Sequence, residues 1–173
     1  MKIEPSRIII DHLASLKSAG SGKTSISDLT IFYIVPVLIG VLAWLFLSLR
    51  GEVYNAALTF FGIFIGLLIN VQVALFAIFQ RKWNVPADVR STEAQEATLA
   101  LRGRLLKEAN ANISYLILVS CIGAIASLCL YISGAGDGWA SATMSMIVAH
   151  FFLTLLMVIK RLHALFAKEY EEA

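Results

Sequence analysis

The 173-residue chain is 58% hydrophobic and only 15% charged, with a formal net charge of +2. This composition argues against a water-soluble globular protein, because it supplies too little polar surface to solvate a fold of this length. The charged residues are also clustered. Four runs contain no Lys, Arg, Asp or Glu at all: residues 29–49, 53–80, 109–136 and 138–159.

Each charge-free run is long enough to cross a membrane once, because a hydrocarbon core about 30 Å thick needs roughly 20 apolar helical residues. The alternative is a water-soluble helical bundle, whose helices each need one polar face. Residues 31–49 would form a helix that is apolar all the way round. We therefore predict an all-α fold, an integral membrane four-helix bundle with four transmembrane helices.

Lys and Arg are distributed unevenly over the segments between the runs. Thirteen of the fourteen lie before the first run, between the second and third, or after the fourth, and only Arg50 lies in a hairpin loop. Because short loops rich in these residues stay in the cytoplasm, both termini are predicted to be cytoplasmic. The chain then divides into an amphipathic N-terminal helix and hinge (1–27), transmembrane helices 1 and 2 (28–80), a cytoplasmic loop and basic helix (81–111), transmembrane helices 3 and 4 (112–160) and a cytoplasmic tail (161–173).

The N-terminal segment has the pattern of a short amphipathic helix. Pro5 suits a first helical turn, and Ile9, Leu13 and Leu16 share one face at helical spacing. We expect this helix to lie on the membrane or on the bundle. Residues 20–22, Gly-Ser-Gly, follow it as a flexible hinge.

The long loop contains the start of another helix. Thr92 and Gln95 form a capping box, and the helix that they begin is predicted to run without a break into the third span. It would carry Arg102, Arg104 and Lys107 just above the lipid headgroups. These cations could contact anionic lipids, or, pooled from several subunits, bind the phosphates of a nucleotide or oligonucleotide ligand.

Small and polar residues follow one face of the second span. Asn55, Thr59, Gly62, Gly66 and Asn70 are separated by four, three, four and four residues, which places all of them on one helical stripe. Within a membrane, such residues mark a helix contact or a polar cavity. We predict that this stripe lines a pore.

His150, in the fourth span, lies one turn before Thr154 and at a depth similar to that of Asn70. Polar and ionisable groups in hydrocarbon usually face a bundle interior or an aqueous path. His150 and Thr154 are therefore added to the predicted pore lining. The alternative is a neutral His150 that is hydrogen-bonded to Asn70 as part of the packing.

The third span has a second stripe of small residues, Ser120, Ala124 and Ser127 with Gly123 beside it, which indicates tight packing. Cys121 and Cys129 lie eight residues apart on the same helix, too far for a disulfide within it, and no other ligand completes a metal site with them. No catalytic residue, metal or cofactor is predicted, and the protein is not expected to be an enzyme.

Channels are commonly built by rings of subunits that each give one polar helix face to a shared axis. The stripe on the second span favours such a homo-oligomeric pore or ion channel in the lipid bilayer. The alternative is a non-conducting membrane scaffold, whose basic cytoplasmic face anchors a soluble partner protein.

The charged N-terminal helix, the four spans and the basic helix that leads into residues 110–118 (Asn-Ala-Asn-Ile-Ser-Tyr-Leu-Ile-Leu) together resemble small membrane effectors of bacterial antiphage systems. Channel subunits of Hailong-type systems are similar in architecture, and so is the four-span membrane subunit of Kiwa-type systems. The first resemblance implies antiviral defence at the bacterial inner (plasma) membrane, by a channel that an oligonucleotide keeps shut. A partner nucleotidyltransferase would make that ligand, and opening of the channel would depolarise the membrane.

The charge count predicts the topology directly. Single cysteines placed at Ser21 and Ser91 should react with a membrane-impermeant maleimide in inside-out vesicles and not in intact cells. Labelling of either position from outside intact cells would contradict the cytoplasmic location of the termini and of the long loop.

Overall fold

The computed structural model describes residues 5–15, 26–80 and 92–171. Within these ranges the chain is all-α, with α4 unbroken over 42 residues as the capping box predicted. Residues 161–171, which belong to the predicted cytoplasmic tail, continue the last helix. The helices are α1 (Pro5–Ser15), α2 (Ile26–Phe46), α3 (Gly51–Gln80), α4 (Thr92–Ser133) and α5 (Gly138–Glu171).

Three of these helices contain segments long and apolar enough to cross a membrane: Gly51–Gln80, Gly103–Ser133 and Gly138–His163. In α2, Thr30–Phe46 is a shorter apolar segment. Large apolar side chains cover the outside of the helices, with Phe46 79% and Ile132 75% exposed. A soluble monomer rarely shows apolar patches of this extent, so the chain is a membrane protein with transmembrane helices.

The α4–α5 hairpin lies at the centre of the bundle, with α3 packed along α4 and α2 packed along α5. The turn between α4 and α5 is built around Gly134, the one described residue with a positive φ, 64°. Its N–H donates to the Tyr131 carbonyl and the N–H of Ala135 donates to the Leu130 carbonyl. This Schellman arrangement satisfies two terminal carbonyls of α4, as a helix end in a membrane protein requires.

The face of α3 that packs against the bundle carries large side chains at seven-residue intervals. Tyr54, Phe61, Leu68 and Leu75 are all at most 5% exposed. The Phe61 ring lies directly over Gly123 of α4, where an added Cβ would come within 2.6 Å of two ring carbons. The absence of a side chain at Gly123 therefore allows α3 to approach α4 closely.

The small residues beside Gly123 are also part of this packing. Ser120 and Ser127 are fully buried, and their hydroxyls donate to the backbone carbonyls of Leu116 and Gly123, at 2.8 and 2.7 Å. The prediction that these residues of the third span serve tight packing is confirmed.

The contact between Gly123 and Phe61 predicts that Gly123→Ala destabilises the bundle by about 1–3 kcal/mol, because the added methyl group forces the buried Phe61 ring to move. The measurement is reversible unfolding by SDS in mixed micelles. Gly103→Ala on the same helix is the control, since a Cβ there would meet no atom within 4 Å. Equal stability of the two variants would contradict the packing role of Gly123.

Candidate functional site

A network of polar contacts joins the helices of the bundle, and it begins where Pro36 interrupts the hydrogen bonding of α2. Pro36 lies inside α2 and has no N–H, so the Phe32 carbonyl loses its helical donor. His150 of α5 supplies the missing donor, with Nδ1 3.1 Å from the Phe32 oxygen. Because a carbonyl can only accept, the ring carries a proton on Nδ1. In the neutral ring, Nε2 then accepts from the Tyr115 hydroxyl of α4, 2.8 Å away.

The Tyr115 ring also stacks on His12 of α1. The two ring centroids are 3.8 Å apart and the ring planes differ by 4°. His12 Nδ1 lies 2.8 Å from Asn112 Oδ1, and the Ser15 hydroxyl lies 2.8 Å from the same oxygen. An amide oxygen only accepts, so His12 carries its proton on Nδ1. His12 and Asn112 are completely buried, so α1 docks on α4 through polar side chains.

Arg161 of α5 fixes the C-terminal end of α1. Its guanidinium donates to the carbonyl of Ser15, the last residue of α1, and lies 3.3 Å from the carboxylate of Glu108 on α4. Carbonyls at a helix C-terminus lack helical donors and carry partial negative charge, which makes a cation favourable there. Glu108 also pairs with Arg104 at 2.9 Å.

We call the connected groups the polar chain. It joins the α1 end of the bundle to the Pro36 bend of α2, and it draws on four helices. Its members are Glu108, Arg161, Ser15, Asn112, His12, Tyr115, His150 and the Phe32 carbonyl.

Among the uncharged side chains of the polar chain, His12 Nε2 and Asn112 Nδ2 are buried without a hydrogen-bond partner among the described residues. Burial lowers the pKa of His12 to about 4. The hydrogen bond to Asn112 opposes this effect, while the nearby His150 and Arg161 add to it. His12 is therefore neutral at pH 7, with a lone pair on Nε2 directed into protein.

The predicted pore stripe lies on the outside of the chain. All five of its residues are exposed, on the side of α3 opposite Tyr54 and Phe61. A Cβ added at Gly62 or Gly66 would meet no atom within 4 Å. The stripe consists of Asn55, Thr59, Gly62, Gly66 and Asn70.

His150 and Thr154, the other predicted pore-lining residues, lie inside the chain. Thr154 is fully buried and its hydroxyl donates to the His150 carbonyl, 2.9 Å away. The side-chain partners of His150 are Tyr115 and the Phe32 carbonyl, so the predicted pairing with Asn70 does not form. The stripe thus lies on the outside of the chain and His150 in its interior. Equal depth in a membrane does not predict this difference, because depth does not set the rotation of each helix about its axis.

The predicted ligand-binding cations lie among carboxylates. Arg104 and Lys107 line a cavity of about 390 Å³ between α1 and α4, and Asp11 and Glu108 line the same cavity. Two negative charges therefore balance the two positive ones. Arg102 belongs to α4, but the structure does not describe its side chain.

Sequence reasoning missed His12, Ser15, Asn112 and Tyr115. A signal was present, because His12 and Ser15 are three residues apart, as are Asn112 and Tyr115, so each pair shares a helix face. Nothing in the sequence showed that the two faces meet, because this contact depends on how α1 packs against α4 in the folded chain.

Comparisons with protein-family models, with curated proteins and with solved structures found no match to this chain. The architectural resemblance to antiphage channel subunits therefore stays a prediction.

The polar chain predicts that Tyr115→Phe destabilises the protein by about 1–3 kcal/mol, because it removes the donor to His150 Nε2 in a partly buried site. The matched control is Tyr131→Phe on the same helix, whose side chain is 49% exposed. Its cost should stay within about 0.5 kcal/mol. Both free energies come from SDS unfolding, and a Tyr115→Phe variant as stable as Tyr131→Phe would contradict the proposed hydrogen bond.

Proposed function

We propose that the protein is a homo-oligomeric membrane pore, with four transmembrane helices in each subunit and with both termini and the long loop in the cytoplasm. The apolar segment Thr30–Phe46 of α2 is about 26 Å long, at the lower limit for crossing the hydrocarbon core, and the helix continues beyond it to Ile26, which supports a fourth span. Arg161, Glu108 and Ser15 meet at one end of the bundle. At the other end the Leu49 N–H donates to the Ser141 hydroxyl. These charged groups lie at one end and an uncharged contact lies at the other, which is consistent with Lys and Arg being concentrated on one side of the membrane.

The observation that carries the proposal is the exposed stripe on α3. The Asn70 side chain is exposed at a depth where a lipid solvent offers it no hydrogen bond, and a polar group left unsatisfied in hydrocarbon costs several kcal/mol. The stripe therefore needs water or another protein surface. Gly62 and Gly66 permit close approach of a second helix, and copies of one chain assemble most simply with closed symmetry.

Aromatic packing among the described residues disfavours an aqueous path between α3 and α5 of a single chain. Neighbouring rings of these two helices have centroids 4.6–5.7 Å apart, which leaves no water-filled passage between them. The path would have to lie between subunits, where the stripe is. The rings belong to Phe60, Phe61, Phe64, Phe151 and Phe152.

The proposal does not name a gating ligand. The carboxylates of Asp11 and Glu108 balance Arg104 and Lys107, so the described geometry adds no support for the predicted nucleotide or oligonucleotide. The antiphage role, with a partner enzyme and depolarisation of the membrane, is the biological hypothesis that accompanies this pore, and it rests on the architectural resemblance alone.

Purified protein in planar bilayers should carry current. Asn70→Leu should lower the conductance about tenfold if losing the amide raises the barrier to a hydrated ion by about 1.4 kcal/mol. Cys129→Leu is the control, because Cys129 is an exposed small residue on α4, away from the stripe. It should leave the conductance unchanged. Native mass spectrometry checks that both variants keep the wild-type assembly.

One result would count against the pore, and another against the stripe as its lining. If the wild type carries no current, even after residues 1–25 are removed, a non-conducting scaffold that anchors a cytoplasmic partner becomes the better explanation. If the wild type conducts and Asn70→Leu conducts equally well, the path lies elsewhere and the stripe serves only as a contact between subunits.

A further inference from the structure

We propose that α1 is held on the bundle by a proton-operated latch, in which the addition of one proton to His12 releases α1 from α4 and α5. The inference concerns the docking of α1 and does not depend on whether the protein conducts ions.

The attachment of α1 depends on a few polar contacts. His12 and Ser15 are its buried residues, and Ile8 is partly buried against the core. Ile10 and Ile9, by contrast, are 61% and 40% exposed. Leu13, on the predicted apolar face with Ile9, is also exposed, and Leu16 lies outside the described residues. An isolated helix of 11 residues is marginal in water, so α1 depends on this docking for its helical structure.

The docked geometry has no place for a second proton on His12. Nδ1 already donates to Asn112, so a second proton must go to Nε2. That atom is fully buried and has no acceptor among the described residues. Protonation in place would therefore bury a charge whose new N–H is unpaired, which is strongly unfavourable.

The charged and titratable groups around α1 do not offset this cost. Glu108 is already shared between Arg104 and Arg161, while Arg161 and His150 both disfavour a charge on His12. Asp11 is on the same helix and is exposed, with its side chain in the cavity beside Lys107. The groups that face α1 are Arg104, Lys107, Glu108 and Tyr115 from α4 and His150 and Arg161 from α5, and α1 itself adds Arg7 and Asp11.

The direction of the pH dependence follows from the pKa of His12, which is about 4 in the docked state and about 6.5 when the ring is in solvent. A lowered pKa means that docking is fully stabilised above pH 6.5 and weakens as the pH falls toward 4. For these two values, the docking equilibrium at pH 5 should be about thirtyfold weaker than at pH 8.

The test is hydrogen–deuterium exchange of the full-length protein in lipid nanodiscs, measured by mass spectrometry between pH 8 and pH 5. Exchange of the α1 amides, corrected for intrinsic chemical rates, reports the undocked fraction even when that fraction is small. Protection of α1 should fall about thirtyfold over this range, while protection of the middle of α3 stays constant. Unchanged α1 protection in the wild type would overturn the proposal.

Three variants assign the effect. His12→Phe keeps a ring on Tyr115 but cannot bind a proton, so its α1 protection should not depend on pH. His163→Gln and Asp11→Asn remove other ionisable side chains of α5 and α1, and each should keep the wild-type fall. The same fall in His12→Phe would overturn the proposal, and so would its loss in either of the other two. If His12→Phe leaves α1 undocked at every pH, the wild-type profile decides: one proton on His12 predicts a tenfold loss of α1 protection per pH unit below about pH 6.5, and a fall that begins only below pH 5 would overturn the proposal.

Discussion

A backbone carbonyl that packed helices shield from water needs a hydrogen-bond donor inside the protein. Pro36 creates that requirement at Phe32, and His150 meets it with its Nδ1 proton. The choice of Nδ1 leaves Nε2 to accept from Tyr115, and the ring of Tyr115 supports His12. The sequence position of one proline thus determines a tautomer, the orientation of a phenol and the surface on which α1 docks.

The two faces of α3 differ in how they are packed. The inner face packs by shape, with a phenylalanine ring over a glycine and large residues at seven-residue intervals. The outer face, which carries the stripe, is exposed in the part of the chain that the structure describes. This contrast explains why adjacent residues of one helix, such as Tyr54 and Asn55, differ completely in burial. It also separates stability, which the inner face controls, from assembly, which we assign to the outer face.

The long apolar helices were predictable from charge-free runs, and the start of α4 from the box formed by Thr92 and Gln95, because both depend on local sequence. The polar chain was not. His12 and Asn112 are 100 residues apart, and only the packed structure shows that they meet. Depth along a span placed His150 beside Asn70, but rotation about each helix axis depends on packing. Likewise, Ile9 and Leu13 formed a convincing apolar face, yet specific hydrogen bonds orient α1 with that face outward.

The length of α4 has a mechanical consequence. Its 42 residues form a continuous helix of about 63 Å, of which the apolar segment Gly103–Ser133 accounts for about 46 Å. The first 11 residues therefore extend about 16 Å beyond that segment, and a tilt of about 5° would move their tip by about 1.4 Å. A force applied near Thr92 would be transmitted along the same rigid helix to the buried contact between Phe61 and Gly123.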